Sequence, residues 1–166
     1  MPHSFDVTMD SSASVEQLHA AFGSKDYWRS RLSGDAGTTL DSLIVHDDGS
    51  VAVRVTQHLG RRLLPRLVAN IVPGDLKLLY RETWQPTGDG TVRGEASASA
   101  SGGLGSSRAQ NWLLPVGSGS ELRSAVKVEV KVPLVGSTVE KAIGASLVES
   151  IPAVMHFATV WICEHR

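Results

Sequence analysis

Residues 120–164, SELRSAVKVEVKVPLVGSTVEKAIGASLVESIPAVMHFATVWICE, decide the fold. In the first half Leu122, Val126, Val128, Val130 and Val132 alternate with Arg123, Lys127, Glu129 and Lys131. A period of two is the mark of a strand with one dry and one wet face. Pro133 ends it, because proline has no N–H to give to a ladder. From about Val135 to Glu164 the period changes to that of a helix. On a helical wheel Val139, Ile143, Leu147, Ser150, Val154, Phe157, Ala158 and Trp161 share one side, and Lys141, Glu149, His156 and Cys163 the other. Pro152 falls on the outer side, where a bend would wrap the helix around whatever its apolar side covers.

Working back toward the N-terminus, the same alternation recurs between turn signals. Asp47-Asp48-Gly49, Gly88-Asp89-Gly90 and Gly117-Ser118-Gly119 mark hairpins. Between them Val51, Val53 and Val55 face one way, as do Leu76, Leu78, Tyr80, Glu82 and Trp84, and then the unusually small Gly94, Ala96 and Ala98. Ser101 to Ser107 reads as a glycine-serine loop, and Trp112 to Val116 as a further strand. At the start of the chain Phe5, Val7 and Met9 define a first strand. Ser14 and Gln17 form a capping box for a short helix that Gly23 closes in a left-handed conformation. Ser24 caps a second short helix through Tyr27, Trp28 and Leu32. The expected architecture is α+β: a curved antiparallel sheet of about six to seven strands around a long C-terminal helix, with two short helices after strand 1. A half-apolar sheet needs a cover, and the terminal helix is the long amphipathic element on hand. Residues 1–166 read as one domain.

Composition narrows the function classes. The formal net charge is -1, without the basic excess of a nucleic-acid binder. The linear sequence has no apolar run near the ~20 residues that span a bilayer, and no basic-then-apolar leader. With Cys163 as the one cysteine, no internal disulfide and no zinc cluster is expected. The histidines lack metal spacing, and Gly102-Gly103-Leu104-Gly105 is not a phosphate loop. Neither a metal nor a cofactor is implied, and the cytoplasm is the default compartment.

The blocks His3 to Leu32 (HSFDVTMDSSASVEQLHAAFGSKDYWRSRL), Pro73 to Trp84 (PGDLKLLYRETW) and Val128 to Val154 (VEVKVPLVGSTVEKAIGASLVESIPAV) resemble an actinobacterial domain-of-unknown-function family of the START-like superfamily, the polyketide-cyclase and lipid-transport group. The resemblance covers nearly the whole chain. It implies the helix-grip fold with an apolar cavity between sheet and helix, and it carries over no catalytic residue. The glycine-rich loop between strands two and three, typical of the pollen-allergen branch, is replaced here by Asp47-Asp48-Gly49.

Several residues stand out against this frame. Glu82 falls inward between Tyr80 and Trp84. A buried carboxylate either meets a ligand or an acid–base task, or is held by a structural bond to Tyr80 or an arginine. Gln57 and Ser124 also take inward positions, to orient a ligand or to meet water at a strand end. Ser150 lies on the apolar helix side, where its hydroxyl can bond back one turn. The stretch 61–72, RRLLPRLVANIV, is amphipathic. It is read either as a lid, with Arg61, Arg62, Leu63, Leu64 and Leu67 at a cavity mouth and the arginines available for an anionic ligand head or for transient contact with an acidic membrane surface, or as an ordinary packed helix.

The leading reading is a module that binds a small hydrophobic molecule such as a lipid, isoprenoid or polyketide. The expected cavity residues are Val53, Val55, Tyr80, Glu82, Trp84, Ala96, Val126, Val128, Ile143, Leu147, Ile151, Val154 and Met155. The alternatives are a cyclase- or dehydratase-like enzyme using Glu82, and a protein-interaction module with a solid core. The oligomeric state is left open.

Overall fold

The computed structural model describes residues 2–34, 36–60, 66–70 and 74–165. Seven strands form one antiparallel sheet: β1 (His3–Ser11), β2 (Thr38–Val45), β3 (Val51–Leu59), β4 (Leu76–Pro86), β5 (Val92–Ala100), β6 (Gly105–Val116) and β7 (Gly119–Val130). Their order is β1-β7-β6-β5-β4-β3-β2, so β1 and β2 are the edges. Helices α1 (Val15–Phe22) and α2 (Lys25–Arg31) follow β1, a single helical turn α3 (Arg66–Ala69) lies between β3 and β4, and α4 (Gly136–Glu164) ends the chain.

The local signals act largely as expected. Ser14 Oγ accepts from the Gln17 N–H, and Gln17 Oε1 accepts from the Ser14 N–H, which completes the capping box. Gly49 and Gly117 have positive φ in their hairpin turns. Gly23 is a correction: its φ is -90°, not left-handed. Its value lies in space, since a Cβ there would stand 3.3 Å from Val51 Cγ2. A second correction concerns β6, which begins at Gly105, well before Trp112. The segment 105–111 lacks apolar alternation. It is nonetheless zipped between β5 and β7, with Ala109 opposite Ala96 on one side and Val126 on the other, so tertiary pairing overrides weak local preference.

Helix α4 packs against β1 and β7, at one side of the sheet, and against α1 and α2. The approach is close. A Cβ on Gly144 would lie 2.6 Å from the ring of His3, and one on Gly136 would lie 2.9 Å from the Val130 carbonyl oxygen. Glu140 is buried and accepts the Val130 N–H at 2.8 Å. Ser11 and Thr159 share a hydrogen bond of 2.6 Å that ties the C-terminal half of α4 to β1. The helix runs through Pro152, which leaves the Val148 carbonyl one turn back without its intrahelical donor. Against the expectation from the linear sequence, α4 is by length and composition alone apolar enough to cross a membrane. In this fold it lies along the sheet.

The buried apolar residues split into two clusters. The larger joins α1, α2 and the second half of α4 to one end of the sheet through Leu18, Phe22, Tyr27, Trp28, Trp84, Leu113, Met155 and Ala158. The smaller gathers Leu59, Ala69, Leu78, Ala100 and Leu104 around Leu76 at the other end. In the larger cluster the Trp84 ring lies on its cross-strand partner Gly94, and a Cβ there would stand 2.5 Å from the ring. Gly94→Ala is therefore expected to displace a buried indole and to cost about 1–3 kcal/mol, read as a lowered midpoint of urea unfolding. An unchanged midpoint would show that the ring can shift freely.

Candidate functional site

Between the two clusters the interior is open. An inner chamber of about 210 Å³ lies against the aromatic cluster. An outer chamber of about 320 Å³ lies toward the Leu76 cluster. Ser107 and Leu147 belong to both linings. The cause is local. Helix α4 hugs β1 and β7, while the floor at β5 is built from Ala96, Ala98 and Ala100, whose side chains leave the space unfilled.

Nine of the residues expected from sequence line the inner chamber: Tyr80, Glu82 and Trp84 from β4, Ala96 from β5, Val126 from β7, and Leu147, Ile151, Val154 and Met155 from α4. Val128 and Ile143 line the outer chamber, with Leu147 again. Ile143 is 37% exposed although it lines that chamber, so the cavity opens beside the first half of α4. Val53 and Val55 belong elsewhere: both are buried in the larger core cluster, outside these linings. They point inward as strand parity requires, but into the core cluster that also takes in residues of α1 and α2 rather than into open space. Of the expected lid, Arg61, Arg62, Leu63 and Leu64 fall outside the described residues. Leu67 lies on the short turn α3.

The polar end of the inner chamber centres on Glu82, which is 4% exposed. Tyr80 donates its hydroxyl to Glu82 Oε1. The Trp84 indole N–H donates to Oε2 at 2.8 Å. Arg31 Nη2 stands 3.5 Å from Oε1, and its guanidinium lies 4.3 Å over the Trp28 ring. The carboxylate is thus engaged by three donors. The structural bond weighed from sequence is present, and the arginine is Arg31. Burial, the largest single influence, would lower the pKa of Arg31, but Glu82 together with the Tyr27 and Tyr80 phenols outweighs it and holds the guanidinium above its ordinary value. Burial, reinforced by Glu82, pushes the Tyr80 phenol well above the usual tyrosine range. Burial, against the opposing pull of Arg31, pushes Tyr27 from 10.0 to about 12.

Farther along the floor, Asn111 and Ser124 are direct cross-strand partners on β6 and β7. Both are buried and both line the inner chamber. Ser124 is legible from strand parity. Asn111 is not, because the apolar pattern of β6 starts only beyond it, at Trp112. Ser150 is exposed at the rim, its Oγ 3.5 Å from the Leu147 carbonyl oxygen. Gln57 lies on β3, half-buried and outside both linings. Among the described residues no group of three or more His, Cys, Asp or Glu is placed to hold a metal.

A family model described as a protein of unknown function (DUF2505) matches residues 6–162. An uncharacterised protein of Mycobacterium tuberculosis is 33% identical over 174 residues, covering 98% of each chain. Among solved structures, a START superfamily protein from Mycobacterium smegmatis superposes with a TM-score of 0.56 at 12% identity, over 99% of both chains. Norcoclaurine synthase from Thalictrum flavum, in complex with dopamine and hydroxybenzaldehyde, superposes with a TM-score of 0.52 at 15% identity, over 100% of this chain and 89% of that one. At such identities the likeness is one of fold.

Two measurements test the polar cluster. Glu82→Leu leaves the largely buried Arg31 without its counter-charge and is expected to cost up to about 3–5 kcal/mol. Adding Arg31→Met should recover part of that loss, so a urea-unfolding double-mutant cycle will be non-additive. Additive effects would mean that the pair is not coupled. The chain has two tyrosines, and both phenols are held protonated by burial. For Tyr27 that contribution to stability is fully present below the unfolded value near 10.0 and is lost as pH rises through about 12, and for Tyr80 it persists to higher pH still. Alkaline titration followed by phenolate absorbance should show neither tyrosine ionising at its ordinary pH, with both appearing together with unfolding. Early, non-cooperative ionisation of either would contradict this packing.

Proposed function

We propose, for a chain that belongs to the DUF2505 family and has the START-like fold, that it binds an elongated, largely apolar small molecule between the sheet and α4. The observation that carries this reading is the outer chamber, walled by Leu59, Leu76, Leu78, Leu104, Val128 and Ile143 and opening beside α4. Apolar side chains around an open space contribute nothing to packing until something fills it. An apolar ligand there gains roughly 25 cal/mol for each Å² removed from water, before association costs. A cavity of this size with a few polar groups at one end is the usual form of a small-molecule site. The norcoclaurine synthase complex, with two small aromatic compounds bound on the same fold, is in keeping with it.

The enzymatic alternative rests on Glu82, and the geometry favours it less. An acid–base group must have lone pairs or a proton free for substrate, whereas the Glu82 carboxylate already accepts from Tyr80 and Trp84 and faces Arg31.

The test is saturable binding of an uncharged apolar fluorophore, N-phenyl-1-naphthylamine, to the purified chain. Ala98 faces the outer chamber from the floor, so Ala98→Phe should fill the space and weaken dye binding at least tenfold while leaving the thermal midpoint equal or higher. No saturable binding to the wild type, or full binding to a folded Ala98→Phe protein, would sink the proposal.

A further inference from the structure

The inner chamber holds a hydrogen-bonding group that the fold does not use. Ser124 is 3% exposed, and its Oγ has no hydrogen-bond partner among the described residues. It faces the chamber from β7, directly across from Asn111 on β6, which is 8% exposed. An unmatched buried hydroxyl costs the free protein stability, and an apolar residue at that position would pack without the cost. A serine hydroxyl donates and accepts, and a primary amide does both. The pair therefore matches a group that is itself uncharged and able to hydrogen-bond.

Charge around the chamber points the same way. Arg31 already faces Glu82, so the two cancel. The other charged residues of the two linings, Arg108 and Glu129, alternate with inward-facing Ala109 and Val128 and so belong to the outer face of the sheet. Glu129 is paired there with Lys131 at 3.8 Å. A carboxylate head beside Ser124 would lose its hydration with Glu82 nearby, while among the described residues of the lining Arg31 is already engaged by Glu82 and Arg108 lies on the outer face.

Resting on the binding role proposed above, the geometry points to ligands that carry one neutral hydroxyl or carbonyl group, held by Ser124 and Asn111, with an apolar tail running past Ser107 and Leu147 into the outer chamber. Whatever solvent occupies the spot in the free protein, a hydroxyl replaces its hydrogen bonds and an alkane does not.

Competition against N-phenyl-1-naphthylamine with decan-1-ol, decane and decanoate, above neutral pH where the acid is ionised, tests this. Decanoate should bind at least tenfold more weakly than decan-1-ol. Ser124→Ala should weaken decan-1-ol about fivefold, the worth of one neutral hydrogen bond, and leave dye and decane within twofold. The thermal midpoint of the unliganded variant should not fall, since a hydroxyl with a structural bond would lower it on removal. Equal effects on decan-1-ol and decane, a lowered midpoint, or decanoate binding as well as the alcohol would each overturn the selection while leaving the dye-binding role standing. Failure of dye and all three probes to bind the wild type would overturn both.

Discussion

The close approach of α4 to the β1–β7 side of the sheet sets the interior of this molecule. The backbone of the helix meets the His3 ring at Gly144 and the Val130 carbonyl at Gly136, and Glu140 fastens its first turns to β7. Side chains larger than glycine at those points would hold the helix off the sheet. Drawn toward one edge, the helix leaves the palm of the sheet over β4, β5 and β6 without a cover at close range. The second half of α4 closes that gap through Met155, Ala158 and Ile162 against α1, α2 and the aromatic cluster. The first half does not: the outer chamber lies beneath it, and the inner chamber beneath the middle of the helix.

The buried ion pair sits where the solid half of the core meets the open half. Arg31 comes from the end of α2 and Glu82 from the centre of β4, so their contact ties the short helices to the sheet floor. A buried pair of this kind adds little net stability over apolar packing, yet losing one member is costly. It works as a register pin, fixing Tyr80, Trp84 and Trp28 around it. The inner chamber thereby gains a polar end that is already satisfied, distinct from Ser124, whose hydroxyl has no partner among the described residues.

Most of the fold was legible because the strands carry their parity openly. Val51, Val53 and Val55, and again Leu122 to Val130, repeat with period two, and the terminal helix repeats with its own period. The site was only partly legible. Parity places a side chain inward without saying whether it meets a neighbour or a void, which is why Val53 and Val55 turned out to be core and Leu147 and Val154 cavity wall. Asn111 was hidden because the start of β6 has no apolar rhythm and exists through pairing on both sides. Arg31 was hidden because an arginine at the end of a short helix reads as solvated until the fold brings Glu82 to it. Gly23 and Gly94 show the same limit. Glycine marks a special position in a sequence, but whether the demand is a torsion angle or a crowded neighbour appears only in three dimensions.

The alanine row on β5 has a consequence for how such a scaffold diversifies. Ala96, Ala98 and Ala100 set the depth of the interior, and each sits in a strand held on both flanks. Exchanging any of them for a bulkier aliphatic residue would raise the floor under an unchanged backbone, much as shims alter the clearance in a fixed housing. The width of the chambers can therefore be retuned by a few substitutions on one central strand, without disturbing the helix contact or the ion pair.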